Sequence, residues 1–141
     1  MIAIACDHGG LALKKAMMAL LAERGIRVLD LGTNEAASVD YPDFAHRLAD
    51  AVASRKVRRG ILICGSGIGM SMAANRHRGV RAAVCTNEYM ARMARLHNDA
   101  NVLCLGERVV GVDLARAIAS VFLETGFEGG RHRRRVRKIE L

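Results

Sequence analysis

A chain of 141 residues has room for one domain and one sizeable core, and with 51% hydrophobic and 26% charged residues it has the composition of a globular protein. Its net charge of +8 is lopsided: Arg131, Arg133, Arg134, Arg135, Arg137 and Lys138 lie in one tail, and without those six the remaining 16 basic residues face 14 acidic ones. A near-neutral body with a basic tail excludes a chain-wide polyanion-binding surface, and no uncharged apolar run reaches the ~18 residues that cross a bilayer.

The apolar run Ile2 to Cys6 predicts a first strand, with Asp7-His8-Gly9-Gly10 as its turn. Over residues 11–24, Leu13, Ala16, Met17, Leu20 and Leu21 recur at helical spacing, and Gly25 closes the helix. Residues 27–31 read as a second strand ending at Gly32-Thr33-Asn34. A polar loop then carries Asp40-Tyr41-Pro42, whose proline suits a first helical turn, and residues 44–54 read as that helix.

Residues 60–64 form the third predicted strand, which ends on Cys64 and a loop of alternating glycines, Gly65-Ser66-Gly67-Ile68-Gly69. A helix follows to about residue 78, then a fourth strand over 80–85. The next helix opens near Asn87-Glu88 with Met90, Met93, Ala94 and His97 on one side. Residues 101–105 are the fifth strand, ending in Gly106-Glu107-Arg108, and residues 112–123 are helical with Ala115, Ile118, Ala119 and Phe122 on one face. Gly126, Gly129 and Gly130 break the chain before the tail.

Five short apolar strands alternating with helices predict an α/β fold. It is a single three-layer αβα domain over residues 1–141, with a five-stranded parallel, Rossmann-like sheet and a basic helical tail over 131–141. Ligands of such sheets sit beyond the carboxyl ends of the strands. Asp7, His8, Cys64 with its loop, Asn87 and Arg108 gather there, and the pattern predicts one cleft. His97 and Asn98 precede the fifth strand and have to reach that cleft from a helix end.

A strand that stops at a glycine loop and feeds a helix points backbone N–H groups into one cradle, which favours an anion or a developing oxyanion. Cys64 at its lip is placed to take a proton, since a thiolate is favoured at a helix amino terminus. Arg131 and Arg135, four apart, share one helical face, and their forked guanidiniums suit phosphate oxygens. His97 belongs to the side-chain class that gives and takes protons near neutrality.

The remaining candidates have blander readings. Cys6, Cys85 and Cys104 are expected to pack in the core, and Met17, Met18, Met70, Met72, Met90 and Met93 to fill the core or an interface. His46 and His77 are expected on a solvated surface, and His132 near the phosphate by proximity only. No CxxC spacing links the four cysteines, which fits reduced thiols in the cytoplasm, and Met1 runs straight into the first strand without a leader. Zinc held by Cys6, His8, Cys64, Cys85 and His97 is a rival reading without a short ligand pair. A noncatalytic binding module is another. No aromatics interleave with the tail arginines, so stacking on nucleic-acid bases has no support.

Seven motifs in order carry a resemblance over essentially the whole chain. They are Cys6-Asp7-His8-Gly9, Asp40-Tyr41-Pro42, Ile63-Cys64-Gly65-Ser66-Gly67-Ile68-Gly69, Ala73-Ala74-Asn75, His97-Asn98-Asp99-Ala100-Asn101, Gly106-Glu107-Arg108-Val109-Val110-Gly111 and Glu128-Gly129-Gly130-Arg131-His132. The chain resembles the B-type ribose-5-phosphate isomerases, whose superfamily includes the galactose-6-phosphate isomerase subunits.

The resemblance implies interconversion of ribose 5-phosphate and ribulose 5-phosphate in pentose phosphate metabolism through a cis-enediol, without metal or organic cofactor. It implies a homodimer, with a tetramer as the alternative, whose sites lie at the subunit interface. Cys64 then moves the proton between C2 and C1, His97 opens the sugar ring, and Ser66 stands where relatives often have Thr. Asp7, His8, Tyr41, Gly65, Ser66, Gly67, Ile68, Gly69 and Asn98 match sugar-binding positions, and Arg108, Arg131 and Arg135 match residues that hold the substrate and its phosphate. One branch of the family has Gly in place of the cysteine and Glu at the Met70 position; here the thiol is present. A six-carbon substrate, allose or galactose 6-phosphate, is the alternative.

Overall fold

Alternation along the strands decides where the helices go. Ile2, Ile4, Cys6, Ile61, Ile63, Leu103 and Leu105 point to one face of the sheet, and Ala3, Ala5, Leu62, Cys64, Val102 and Cys104 to the other. The computed structural model describes residues 1–141. Its strands are β1 (Ile2–Cys6), β2 (Val28–Asp30), β3 (Arg59–Cys64), β4 (Ala82–Val84) and β5 (Val102–Gly106), all parallel, in the order β2-β1-β3-β5-β4. The helices α1 (Leu11–Glu23), α4 (Glu88–Leu96) and α5 (Val112–Glu124) cover the face with the larger side chains, while α2 (Tyr41–Ala53) and α3 (Ile68–Ala74) cover the other. A short α6 (Arg131–Arg137) ends the chain.

The expected αβα architecture is therefore present. Small residues on the second face let α2 settle close to the sheet: a Cβ at Gly60 would come within 2.4 Å of the Leu48 side chain. The chain passes from β2 across β1 to β3, so the topological switch lies between β1 and β3. Asp7 and Cys64 leave those two strands side by side, and Asp7 N–H still bonds Ile63 C=O at 3.2 Å.

Several local expectations are corrected. Helix α3 ends at Ala74, because Asn75 turns its side chain onto β4, accepting the Ala82 N–H at 2.8 Å and donating to Ala82 C=O at 2.9 Å. The buried face of α4 is Ala91, Ala94 and Arg95, with Met90 exposed. Alanines, not methionines, fit the tight contact with the core there. Met17 and Met70 are core residues, whereas Met72 is 64% exposed and is left to the interface half of the expectation. His46 and His77 are half-buried partners rather than solvated singles: their ring nitrogens meet at 2.7 Å, and His77 Nδ1 lies 3.1 Å from Asp50.

Two buried cations tie the layers together. Lys14 Nζ uses its three protons on Asp30 Oδ1 (2.8 Å), Thr33 C=O (2.7 Å) and Asn34 Oδ1 (2.8 Å). Burial alone would raise the Asp30 carboxyl, but the hydrogen bond and charge of Lys14, with the Gly32 N–H and Asn34, hold it below the usual carboxylate range. Arg95 donates to Asp99 Oδ1 (2.9 Å), Ala100 C=O (2.6 Å) and Thr125 C=O (3.0 Å), which pins the segment following His97. No helix is long and apolar enough to cross a membrane.

Candidate active site

At the carboxyl ends of β1, β3 and β5 the turns build one mouth. The Asp7 carboxylate is buried and accepts the Gly9 N–H at 2.9 Å, capping the 3-10 turn His8–Gly10. His8 is exposed, and its Nδ1 accepts the Val39 N–H at 3.1 Å, so the neutral ring carries its proton on Nε2. Cys64 closes β3 with a buried sulfur, and the Gly67 N–H points at Sγ from 3.1 Å.

Gly67 has φ +80, and a Cβ there would stand 3.0 Å from the Leu105 carbonyl carbon, so the turn over the thiol requires glycine. The carbonyls of Cys64 and Gly65 accept the N–H groups of Glu107 (2.9 Å) and Arg108 (3.0 Å), riveting the loop to the end of β5. Exposed Ser66 presents its hydroxyl beside the loop amides, accepting the Ile68 N–H at 3.2 Å. The Tyr41 ring lies on Gly69, within 2.6 Å of where a Cβ would be, and the Arg108 guanidinium lies over Gly65.

Gly106 is hemmed in by backbone rather than by side chains: a Cβ would sit 2.6 Å from the Ser66 carbonyl carbon. Gly106→Ala must displace the loop backbone that cradles Cys64. A misplacement near 1 Å is worth about 10²-fold in rate, so the expected result is a loss of that order in kcat with the protein still folded, read by steady-state kinetics beside circular dichroism.

The other expected site residues lie elsewhere. Helix α4 runs back against the strand direction, so its C-cap His97, and Asn98 after it, arrive at the amino ends of the sheet beside Asn101, whose C=O accepts the Gly60 N–H at 2.9 Å. Four strand steps separate Gly60 from Cys64, roughly 13 Å at ~3.3 Å per residue. Arg131 and Arg135 are exposed on α6 at this same end. The single cleft expected from the sequence does not form within one chain, because the carboxyl-end and amino-end groups face opposite edges of the sheet. A cleft of about 670 Å³ opens at the amino ends beside β4, and it includes Asn98, Arg81 and Ile139 but no carboxyl-end residue. Asn87 caps α4, accepting the Met90 N–H at 2.8 Å.

The rival zinc set does not converge, since Cys6 and Cys64 point to opposite faces of the sheet. Burial pushes the Cys6 and Cys85 thiols up to about 11 and raises Cys104 as well, so these three pack as neutral thiols. What does converge is a group not expected from sequence. The rings of His97 and His132 stack at 4.1 Å and 10°, and Glu128 Oε2 lies 3.6 Å from His97 Nε2 and 3.7 Å from His132 Nε2. The shared motif Glu128-Gly129-Gly130-Arg131-His132 was the available signal, but its proximity to His97 is set by helix packing.

An open parallel α/β sheet with a buried thiol under an amide cradle at its switch point defines a small-ligand site of the doubly wound class. Comparison makes the assignment specific: the chain matches the Ribose/Galactose Isomerase family over residues 2–139 and belongs to it. It is 50% identical over 138 residues to ribose-5-phosphate isomerase B of Escherichia coli (strain K12), covering 98% of this chain and 93% of that one. The ribose-5-phosphate isomerase B structure from Clostridium thermocellum superposes with a TM-score of 0.97 at 57% identity, over 98% of this chain and 93% of that one. The enzyme from Mycoplasma genitalium with bound ribulose-5-phosphate superposes with a TM-score of 0.94 at 48% identity, over 98% and 92% of the two chains.

Proposed function

We propose that this chain interconverts ribose 5-phosphate and ribulose 5-phosphate through a cis-enediol, with Cys64 as the base. The observation that carries the reading is the Cys64 sulfur held beneath the glycine loop, between Asp7 of β1 and the β5 end. His97 opens the furanose ring. Cys64 then takes the proton from C2 and returns it to C1. The loop amides and the Ser66 hydroxyl stabilise the charge that develops on the sugar oxygens, each such donor being worth about 3 kcal/mol. Asp7, His8, Tyr41 and Asn98 hold the hydroxyls, and Arg108, Arg131 and Arg135 hold the phosphate.

Because His97, Asn98, Arg131 and Arg135 face away from their own Cys64, the working site takes them from a second copy. Exposed Ile68 and Met72, four apart on α3, and Tyr89 offer apolar surface for that homodimer. Four unpaired, buried cysteines suit a reducing cytoplasm, and pentose phosphate metabolism is the setting such a reaction serves.

Three experiments test this. Purified protein in EDTA is expected to form ribulose 5-phosphate from ribose 5-phosphate; no turnover would sink the assignment. Fully dissociating and reassociating equal amounts of the Cys64→Ala and His97→Asn proteins is expected to restore about a quarter of wild-type activity, since half the dimers are then hybrids with one intact site each. No recovery from the mixture would mean that each chain supplies its whole site. Arg131→Ala or Arg135→Ala should raise KM about 10-fold or more at similar kcat, from ~1.5–3 kcal/mol per charged hydrogen bond; an unchanged KM would return the tail to solvent.

A further inference from the structure

Two imidazoles and one carboxylate meet at the amino ends of the sheet with one polar atom unaccounted for. His132 is buried, and its Nε2 has no hydrogen-bond partner. A buried polar atom without a partner is unfavourable and calls for a specific reason.

The surrounding backbone holds the arrangement. Glu128 N–H bonds Leu96 C=O at 3.1 Å, fastening Glu128 to the last turn of α4 directly before His97. Gly129 (φ +73) and Gly130 (φ +56) then turn the chain so that α6 begins and His132 folds back over the His97 ring. The carboxylate oxygen stands at nearly equal distance from both Nε2 atoms, in ion-pair range but longer than a hydrogen bond. Glu128 is exposed to solvent, and catalytic contacts commonly tighten only with substrate bound. His97 Nδ1 has no partner within the chain.

Charge decides what this cluster suits. Burial, then the neighbouring His97, with Arg131 and Arg135 adding to it, lower the proton affinity of His132 against the opposing pull of Glu128. Two guanidiniums beside one carboxylate disfavour a divalent cation, so the cluster suits the handling of a proton.

We propose that Glu128 is a positioning residue for ring opening: its carboxylate takes the Nε2–H of His97, which leaves Nδ1 to move the proton, and the stacked His132 fixes the plane of the ring. This rests on the reading of His97 given above. In the step itself, Nδ1 accepts the proton of the anomeric O1–H as the C1–O1 double bond forms and the C1–O4 bond breaks. The imidazolium then returns that proton to O4, so no net proton is consumed. Glu128 stabilises the transient imidazolium and fixes the tautomer, as an orienting carboxylate does in a hydrolase triad.

The test uses the fact that ribulose 5-phosphate cannot form a five-membered ring, because its O5 carries the phosphate. Exchange of its C1 hydrogen in D2O needs Cys64 but no ring opening. Glu128→Gln is expected to lower kcat on ribose 5-phosphate about 10-fold or more while C1 exchange stays within about 2-fold of wild type. His97→Asn should show the same split, and Glu128→Asp should recover part of the loss. Unchanged aldose turnover in Glu128→Gln overturns the proposal, and so does an equal fall in both assays, which marks a structural role. Normal aldose turnover in His97→Asn would instead remove the reading of His97 itself, and the proposal with it.

Discussion

Cys64→Ala is expected to abolish isomerisation while leaving the fold in place. A positioned general base contributes on the order of 10²–10⁴ in rate, and here the same sulfur serves both C2 and C1, so the upper part of that range applies. The structural effect is small. Alanine removes one buried atom and leaves the Gly67 N–H without its acceptor at Sγ, a change of about 1 kcal/mol, or roughly 3 °C in Tm for a domain of this size. Cys64→Ser separates the two effects. Its hydroxyl can again accept from Gly67 and recover stability, yet it is far too weak an acid to yield the required base at neutral pH. Kinetics on ribose 5-phosphate and thermal melts of both variants give the result; substantial turnover in either would remove the thiol from the mechanism.

Lys14→Met is expected to destabilise the fold without touching the active-site mouth. The ammonium is buried and satisfies Asp30, the Thr33 carbonyl and Asn34 together. Asp30 is partly open to solvent, so what the exchange leaves behind is a set of acceptors without their donor, a loss of about 2–3 kcal/mol, or a fall of roughly 7 °C in Tm. The pH dependence follows from Asp30, whose folded-state value is depressed. Stability from that depression is present above the unfolded value, near 3.9 for Asp, and is lost as pH falls through the lower folded value. Melts between about pH 2 and 7 should therefore show a steeper acid loss in wild type than in Lys14→Met. Parallel curves would mean that the pair carries no net stability.

Much of the fold was legible because its signals are local. The apolar runs ending at Cys6, Cys64 and Gly106 mark β1, β3 and β5, and the stripe Ala115, Ile118, Ala119, Phe122 is the buried face of α5. Turn chemistry did the rest: Gly25 takes φ +67 after α1, and Pro42 sits in the first turn of α2. The carboxyl-end residues could be grouped from sequence because every parallel strand delivers its following loop to the same edge.

Lys14 was passed over although it lies on the stripe with Met17 and Leu21 at helical spacing, and Arg95 likewise sits among buried alanines on α4. A charged residue reads as surface until its acceptors are found, and those of Lys14 lie 16 to 20 residues away. The pairing of His46 with His77 joins residues 31 apart, and the meeting of His97 with His132 depends on how α4 ends against the turn at Gly129 and Gly130.

By itself, then, the sequence determined the strands, most helix faces, the thiol cradle and the family, because periodicity, turn residues and motifs act within a few residues. Only the tertiary structure decided the strand order β2-β1-β3-β5-β4, and that Glu128 and His132 gather on His97. The same apolar pattern is compatible with any strand order, and which side chains meet at one edge is set by packing between segments far apart in the chain.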